Sequence, residues 1–220
     1  METVRLSEVG VEAAARSAAE VLRAGGVVLY PTDTLYGLGA DAFSGGAVAK
    51  VQGIKGRDEE KPIHCIVADM KMAEKYAELN DTARLLAKEF LPGPLTIVVK
   101  KKPTAKSGIA QGMKTIGIRI PKDNFCLMLA REFGGPYTTT SANISGTKTL
   151  TTVAGILKQL GESAKHIDLV IDAGELPERP PSTVVGVSEL GLVVLREGAI
   201  PTDEIWNVAR GGASEPTLTG

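Results

Sequence analysis

One stretch of the chain combines polar side chains, glycines and two cations in an order that suits the binding of an anionic ligand. An apolar run ending at Tyr30 predicts a buried strand, and Pro-Thr-Asp-Thr follows, then Gly37 and Gly39. Glycines there let a ligand approach the backbone, because they carry no Cβ. A predicted helix then ends at Lys55-Gly-Arg57, and cations at that point suit phosphate or carboxylate. An ordinary strand-turn-helix unit with a solvated Lys/Arg cap explains the same residues equally well.

Other polar residues also lie at or near the ends of predicted strands and helices. Arg119 and Arg196 each interrupt an apolar strand sequence, TIGIRIP and LVVLREG. In a central strand such a guanidinium must be paired or reach a ligand, whereas on an edge strand it simply extends to solvent. The complete set is Thr32, Thr34, Lys55, Arg57, Lys61, Arg119, Ser141, Asn143, Ser182, Thr183 and Arg196. Its lysines and arginines, gathered at one end of a sheet, would form a site for a polyanion and a carboxylate.

The elements that would position these residues mix strands and helices without strict alternation. Helices are predicted over residues 11–24, 44–54, 70–78, 81–90, 123–133, 152–160 and 202–209. Strands are predicted over residues 27–30, 63–67, 95–100, 115–120, 136–140, 169–172, 183–187 and 192–195. Asp81 is the predicted N-cap of the fourth helix. This order favours an α/β or α+β fold with a sheet of mixed direction, and not a regular Rossmann fold.

The composition is that of an ordinary globular protein. The chain has 220 residues, of which 43% are hydrophobic and 23% charged, and its formal net charge of −1 gives no support for a broadly basic surface. Cys65 and Cys126 lie far apart in apolar surroundings, which predicts two buried, reduced thiols. The N-terminus lacks the apolar core of a signal peptide, and no apolar run approaches the roughly 18 residues of a membrane span. We therefore expect a soluble, cytoplasmic protein, with residues 1–205 forming one domain and residues 206–220 a mobile tail.

Familiar catalytic and cofactor motifs are weak or missing. Gly37-x-Gly39-x-x-Ala42 fits a loose dinucleotide fingerprint, but six residues separate it from the preceding strand, whereas a Rossmann turn begins at once. The sequence contains no P-loop, no GxSxG motif and no His/Cys/Asp spacing typical of a metal site. His166 falls in a predicted loop, where we expect it to be exposed. His64 falls inside a predicted strand, which favours a hydrogen-bonded structural histidine.

Seven short motifs occur in the same order as in the YrdC/Sua5 family and together span roughly Leu22 to Pro201. They are PTDTLYGLG, KGRDEEKP, LPGPLTIV, IGIRIP, TTSANISG, PSTVV and LREGAI. The chain thus resembles threonylcarbamoyl-AMP synthases, which make the activated intermediate for the N6-threonylcarbamoyladenosine (t6A37) modification of tRNA. The resemblance implies a twisted mixed α/β sheet with flanking helices and a concave, positively lined cavity. Longer family members carry a linker and a second domain, so this chain looks like the single-domain form.

The resemblance also assigns roles to individual residues. The family's KxR signature is Lys55 and Arg57, which are expected to neutralise charge on the triphosphate as the catalytic pair. The residues expected to bind ATP are Arg57, Lys61, Thr115, Ser141, Asn143 and Arg196, of which Ser141 and Asn143 form the SxN signature. The residues expected to bind L-threonine are Thr34, His64, Arg119, Thr139 and Ser182. For His64, the resemblance favours a substrate contact over the structural interpretation.

The implied reaction uses L-threonine, bicarbonate or CO2, and ATP. The threonine amine captures CO2 as a carbamate, a carbamate oxygen attacks the α-phosphate, and pyrophosphate leaves. No protein nucleophile or protein metal ligand is expected, although Mg²⁺ is expected to assist. The product would pass to the tRNA threonylcarbamoyl-transfer machinery, and direct contact with tRNA is left open. The chain departs from the family pattern at residues 58–60, where Asp-Glu-Glu follows KGR, and at Gly186, where the family has an acidic residue.

Three alternatives remain beside the synthase. The first is a non-catalytic RNA-binding paralogue, whose candidate cations would be residues 100–102, although this lysine cluster is better explained as a solvated loop. The second is the carbamoyl-adenylate-forming domain of hydrogenase maturation proteins, which comes with CxxC zinc motifs that this sequence lacks. The third is a paralogue that has lost activity. The intact KxR and SxN signatures favour the synthase.

Overall fold

The fold is built around one ten-stranded sheet of mixed direction. The computed structural model describes residues 1–56 and 63–211 of the chain. The strands are β1 (Glu2–Arg5), β2 (Val28–Tyr30), β3 (Gly37–Gly39), β4 (His64–Ile66), β5 (Leu95–Lys100), β6 (Thr115–Arg119), β7 (Tyr137–Ser141), β8 (Leu169–Asp172), β9 (Thr183–Ser188) and β10 (Gly191–Arg196). Their order is β1-β8-β2-β3-β7-β4-β6-β5-β9-β10. Parallel pairs such as β4 with β6 alternate irregularly with antiparallel pairs such as β5 with β6, so the predicted mixed sheet is confirmed.

Five of the seven α-helices described begin at a short polar side chain that accepts a hydrogen bond from the first turn. The seven are α1 (Leu6–Arg23), α2 (Gly45–Lys55), α3 (Met70–Tyr76), α4 (Asp81–Phe90), α5 (Asn124–Phe133), α6 (Val153–Leu160) and α7 (Thr202–Ala209). Ser44, Asp69 and Asp123 cap α2, α3 and α5 in this way. The predicted cap of α4 was wrong by one residue, because the side chain of Asn80, not that of Asp81, accepts from Ala83 N.

Three apolar clusters leave one part of the sheet uncovered. Helices α1 and α5 pack on one face of the half that contains β2, and α2 and α6 pack on the opposite face. Helices α3, α4 and α7 cover only one face of the half that contains β5 and β9. In β10, Leu192 and Val194 pack against that cluster, whereas Val193 and Leu195 are 58% and 57% exposed. Since side chains alternate along a strand, the face opposite α3, α4 and α7 is open.

Two strands were not predicted, and both are short. Strand β1 pairs in parallel with β8, and β3 lies between β2 and β7, where a loop was expected. In β3, a Cβ at Gly39 would lie 2.8 Å from the Tyr30 ring and 3.3 Å from Tyr137. Gly39 is therefore required by the packing of buried tyrosines, and not by a ligand. Gly37 lines the cavity described below, but a Cβ there would lie 3.1 Å from Tyr30 Cζ, so the expectation that a ligand approaches its backbone stays a prediction.

The C-terminal end of the described chain belongs to the folded core. Helix α7 ends at Ala209, and its Ile205 is fully buried. Most of the tail for which mobility was predicted, residues 212–220, lies outside the described residues, and the division at residue 205 stays a prediction. Cys65 and Cys126 are buried free thiols, as expected, and His166 is exposed. Within the described part of the chain, no helix is long and apolar enough to cross a membrane.

Candidate functional site

A cavity of about 240 Å³ opens at the edge of the uncovered face, where several strands begin or end. The predicted site residues that line it are Thr32, Thr34, His64, Arg119, Thr139, Ser141, Ser182 and Arg196. They come from segments far apart in the chain, so the sheet order brings them together. Lys55, Thr115 and Asn143 are described but do not line the cavity, and Arg57 and Lys61 lie outside the described residues.

Arg119 ends β6 and is the most buried cation of the cavity wall, at 4% exposure. Its charge is compensated by Asp33, whose Oδ1 accepts from Nη2 at 2.5 Å. Its Nη1 donates to Thr34 Oγ1 at 3.1 Å, and its Nε is 3.4 Å from Gly93 O. Arg119 lies in a central strand, so the sequence argument that it must be paired or reach a ligand applies.

The hydroxyl of Thr32 organises the turn that follows β2. Thr32 Oγ1 accepts from the backbone N–H of Thr34 at 3.0 Å and of Leu35 at 3.1 Å, and it donates to Leu35 O at 2.7 Å. Such a turn uses both lone pairs and the proton of the threonine hydroxyl. Thr32 thus holds the turn that presents Thr34 to the cavity, and it also lines the cavity itself.

His64 owes its position to a glycine on the neighbouring strand. It pairs with Thr139 across β4 and β7, which puts both side chains on the cavity face. On its other side, a Cβ at Gly117 of β6 would lie 2.2 Å from His64 Cδ2. The imidazole therefore rests against the backbone of β6, and only glycine leaves room for it there. The substrate-contact interpretation of His64 fits its place in the cavity wall, and its role stays a prediction.

Lys55 is buried, at 2% exposure, and its ammonium group supports the SxN loop from behind. Nζ donates to Asn143 O at 2.9 Å, to Asn143 Oδ1 at 3.0 Å and to Ser141 O. Ser141 Oγ donates to Asn143 Oδ1 at 2.6 Å, and Asn143 Nδ2 donates to Thr147 O at 2.7 Å. The Asn143 side chain is thus engaged within its own loop. A contact between Lys55 or Asn143 and phosphate stays a prediction.

The opposite wall of the cavity carries hydroxyls and a second arginine. Ser182 Oγ and Thr96 Oγ1 are 3.0 Å apart, and both residues are buried. Arg196 ends β10 and donates from Nη2 to Ser182 O at 2.7 Å and to Ser182 Oγ at 3.3 Å. Arg196 lies on the edge strand β10 and is exposed, as the edge-strand alternative expected, but its Nη2 is held at Ser182 in the cavity wall. Thr183 is purely structural, because its hydroxyl donates to Ile200 O and accepts from Gly198 N.

Thr115 is exposed at the opposite end of β6 from Arg119. Since a strand rises about 3.3 Å per residue, these two side chains lie roughly 13 Å apart on the same face. Thr115 could therefore contact only a ligand that extends out of the cavity along the open face. Its ATP-binding role stays a prediction.

Sequence reasoning missed Thr96, Thr140 and Thr149, which line the cavity, and Asp33 beside it. Thr96 lines the cavity from β5, and Asp33 pairs with Arg119. Thr96 was a polar residue in the apolar run LTIVVK, which was a usable signal of a polar face. Asp33 stands between Thr32 and Thr34, but nothing local in the sequence indicates that it pairs with a residue of β6.

The buried thiols of Cys65 and Cys126 are not nucleophiles at neutral pH. Burial raises the pKa of Cys65 to about 12 and raises the pKa of Cys126 well above its ordinary value. Both are therefore protonated at neutral pH and cannot act as thiolate nucleophiles. Among the residues described, no group of three His, Cys, Asp or Glu side chains could hold a metal ion. The cavity lining offers hydroxyls, an imidazole and two guanidinium groups, which suit the binding and orientation of a polar ligand.

The fold and the cavity thus define a class of protein: an α/β protein with a polar cavity whose lining suits a small ligand that carries a carboxylate or phosphate group. A buried, oriented guanidinium selects planar anions, and the surrounding hydroxyls pair with polar groups of the ligand. The uncovered sheet face beside the cavity leaves room for a larger portion of the ligand.

The chain belongs to the Sua5/YciO/YrdC family, whose model, described as "Telomere recombination", matches residues 20–198. It is 42% identical over 181 residues to a putative threonylcarbamoyl-AMP synthase of Methanocaldococcus jannaschii, covering 82% of this chain and 84% of that one. It is 36% identical to the threonylcarbamoyl-AMP synthase of Pyrococcus abyssi, covering 88% of this chain but 56% of that protein. The predicted family membership is confirmed.

The fold agrees with a solved structure of that family. The structure of P. abyssi Sua5 complexed with L-threonine superposes with a TM-score of 0.84 at 35% identity, covering 94% of this chain. This chain spans 60% of the length of that solved protein. The predicted α/β fold with a twisted sheet and flanking helices is confirmed.

Proposed function

We propose that this protein is a threonylcarbamoyl-AMP synthase, a nucleotidyltransferase that makes threonylcarbamoyl-adenylate and pyrophosphate from L-threonine, bicarbonate or CO2, and ATP. The proposal rests on one cavity that is lined by two sets of residues. The first set, Arg119 with its hydroxyl and imidazole neighbours, suits an amino acid. The second set, Ser141 and Arg196, suits a nucleotide. Relatives named for this activity, at 36–42% identity over most of this chain, support the same conclusion.

In the proposed reaction, Arg119 binds the threonine carboxylate, and Thr34, His64, Thr139 and Ser182 contact its remaining polar groups. The threonine amine adds to CO2 and loses a proton, which gives a carbamate. A carbamate oxygen then forms a bond to the α-phosphorus of ATP while the bond to the β-phosphate oxygen breaks and pyrophosphate leaves. The protein contributes alignment of two anionic substrates and compensation of their charge.

For ATP, we propose contacts from Ser141 and Arg196 in the cavity, from Thr115 on the open face, and from Arg57, Lys61 and Asn143. Lys55 and Arg57 remain the proposed pair for charge compensation, although the contacts of Lys55 also support an indirect role through the SxN loop. The described residues do not fit a protein-held metal site. Mg²⁺ would enter with ATP as part of the substrate and would offset charge on its phosphates.

We further propose that the enzyme acts in the cytoplasm and supplies its product to the enzymes that transfer threonylcarbamoyl to tRNA. The non-catalytic RNA-binding alternative has little support from the lysine cluster. Lys101 Nζ donates to Ala105 O and Ala110 O, Lys102 Nζ donates to Glu74 O, and Lys100 pairs with Glu78 at 2.9 Å. These ammonium groups are engaged within the chain, where they are less available to phosphates.

The proposal is tested by measuring pyrophosphate release from ATP and bicarbonate, with L-threonine present or omitted. We expect release that requires both threonine and bicarbonate and that falls about 100-fold in kcat/KM for threonine in Arg119→Lys, because lysine cannot offer the paired donors of arginine. Lys55→Ala and Arg57→Ala test the charge-compensating pair. Arg84→Lys is the matched control, since Arg84 pairs with Glu74 on the exposed surface. Folded wild-type protein that binds ATP but releases no threonine-dependent pyrophosphate would exclude this function.

A further inference from the structure

We propose that Asp33 is a positioning residue that holds the guanidinium of Arg119 in register for the substrate carboxylate and thereby sets selectivity for a free α-carboxylate. The inference rests on the proposed function, because it takes Arg119 as the carboxylate-binding group. Asp33 does not line the cavity, whereas its neighbours Thr32 and Thr34 do. Its carboxylate therefore acts from behind Arg119.

The Asp33 carboxylate is fixed at both oxygens. Oδ1 accepts from Arg119 Nη2 at 2.5 Å, and Oδ2 accepts from the backbone N–H of Lys122 at 3.0 Å. The backbone is held as well, because Asp33 O accepts from Arg179 Nη1 at 2.8 Å. A carboxylate tied in this way cannot swing into the cavity to compete with substrate. It is an anchor for Arg119.

The remaining donors of Arg119 fit a planar anion. The guanidinium has two N–H groups on each terminal nitrogen. One on Nη2 is directed to Asp33 and one on Nη1 to Thr34, which leaves one on each nitrogen beyond these contacts. Two neighbouring N–H groups of one guanidinium match the two oxygens of a carboxylate. Asp33 and Thr34 thus restrict which N–H groups of Arg119 are left for a ligand.

Charge and geometry make opposite predictions for the loss of Asp33. The side chains of Arg119 and Asp33 are 5% and 9% exposed, so the pair is close to neutral in a poorly solvated place. If Asp33 mainly cancels the positive charge, Asp33→Asn should strengthen threonine binding. If Asp33 mainly orients Arg119, the same change should weaken it. We expect orientation to dominate, because a bidentate contact needs both nitrogens in place. Asparagine has only one acceptor oxygen for the two donors, so its NH2 group must face either Arg119 or Lys122 N–H.

The test compares Asp33→Asn with wild type in pyrophosphate release and, independently of turnover, in L-threonine binding by calorimetry. We expect the KM and Kd for L-threonine to rise roughly 10-fold to 100-fold, as for other groups that orient a ligand-binding residue. The KM for ATP should stay within about twofold. With L-threonine amide, which lacks the carboxylate, wild type and variant should bind alike, so selectivity for the acid over the amide collapses.

Asp168→Asn is the matched control, because Asp168 Oδ2 also accepts a backbone N–H, from Val27 at 2.8 Å, outside the cavity. If Asp33→Asn does not fold, Asp33→Glu keeps the charge but displaces the carboxylate, and the same selective loss is expected. Unchanged or tighter threonine binding overturns the proposal, and so does an equal loss for acid and amide. Failure of the proposed function would appear differently, as wild-type protein that releases no threonine-dependent pyrophosphate.

Discussion

The contact between His64 and Gly117 gives a sharp prediction, because one methyl group should move one cavity residue. In Gly117→Ala the new Cβ would lie 2.2 Å from His64 Cδ2, 2.9 Å from Cγ and 3.1 Å from Nε2. Ordinary contact begins near 3.4 Å, so the ring must retreat by roughly 1.2 Å. The clash is with a side chain and Gly117 does not have a positive φ, so the strand can accept alanine.

We therefore expect the Gly117→Ala protein to fold with a free energy of unfolding within about 1 kcal/mol of wild type. Its kcat/KM for L-threonine should fall on the order of 10-fold to 100-fold, since a displacement of about 1 Å in a positioned group can cost that much. The measurements are urea unfolding, threonine binding by calorimetry, and threonine-dependent pyrophosphate release. The change in Kd should account for much of the loss.

Gly186→Ala is the matched control, because Gly186 lies in β9 on the same sheet and a Cβ there would meet only Leu195, at 3.5 Å. We expect this control to bind threonine as wild type does. Wild-type threonine affinity in a folded Gly117→Ala protein would refute the reasoning, because His64 would then have moved without consequence. Equal losses in both variants would also refute it, since the effect would belong to the strand and not to His64.

Two further predictions concern stability. Lys55→Met should lower the free energy of unfolding, measured in urea, by about 3 kcal/mol. The substitution removes the ammonium donor from three buried or partly buried oxygens of the SxN loop. Wild-type stability would show that the loop is held by other contacts. Stability should also fall as pH rises above about 9, because the folded pKa of Cys65 is raised to about 12 and the unfolded thiol loses its proton first. Cys65→Ala should reduce that fall by about 1.4 kcal/mol per pH unit between pH 9 and 11, and an unchanged pH dependence would contradict the assignment.

Local sequence signals were sufficient for most elements of the fold. Helix α7 and strands β5 and β8 have the predicted bounds, because apolar periodicity and flanking Pro, Gly or polar caps are properties of neighbouring residues. Elements that depend on residues distant in the sequence were missed for the same reason. Strand β3 has three residues, Gly-Leu-Gly, too few for a periodic signal, and it is a strand because β2 and β7 pair with it on either side.

For the site, the sequence by itself determined which residue types are available and, through ordered motifs, the family to which they belong. It also identified Arg119 correctly as a buried cation that needs a partner, since an arginine within an apolar strand carries that requirement anywhere. It could not name Asp33 as the partner, because the pairing joins the loop after β2 to the end of β6.

Only the tertiary structure decided what each polar group faces. Lys55 lies in the KxR signature, yet its ammonium group is directed to the oxygens of residues 141–143, which approach it through the packing of separate segments. In the sequence, Gly117 is only a residue without a side chain in an alternating strand. The structure shows that His64 packs against it. Sheet order sets these contacts, and sheet order depends on pairings between distant segments that no local pattern encodes.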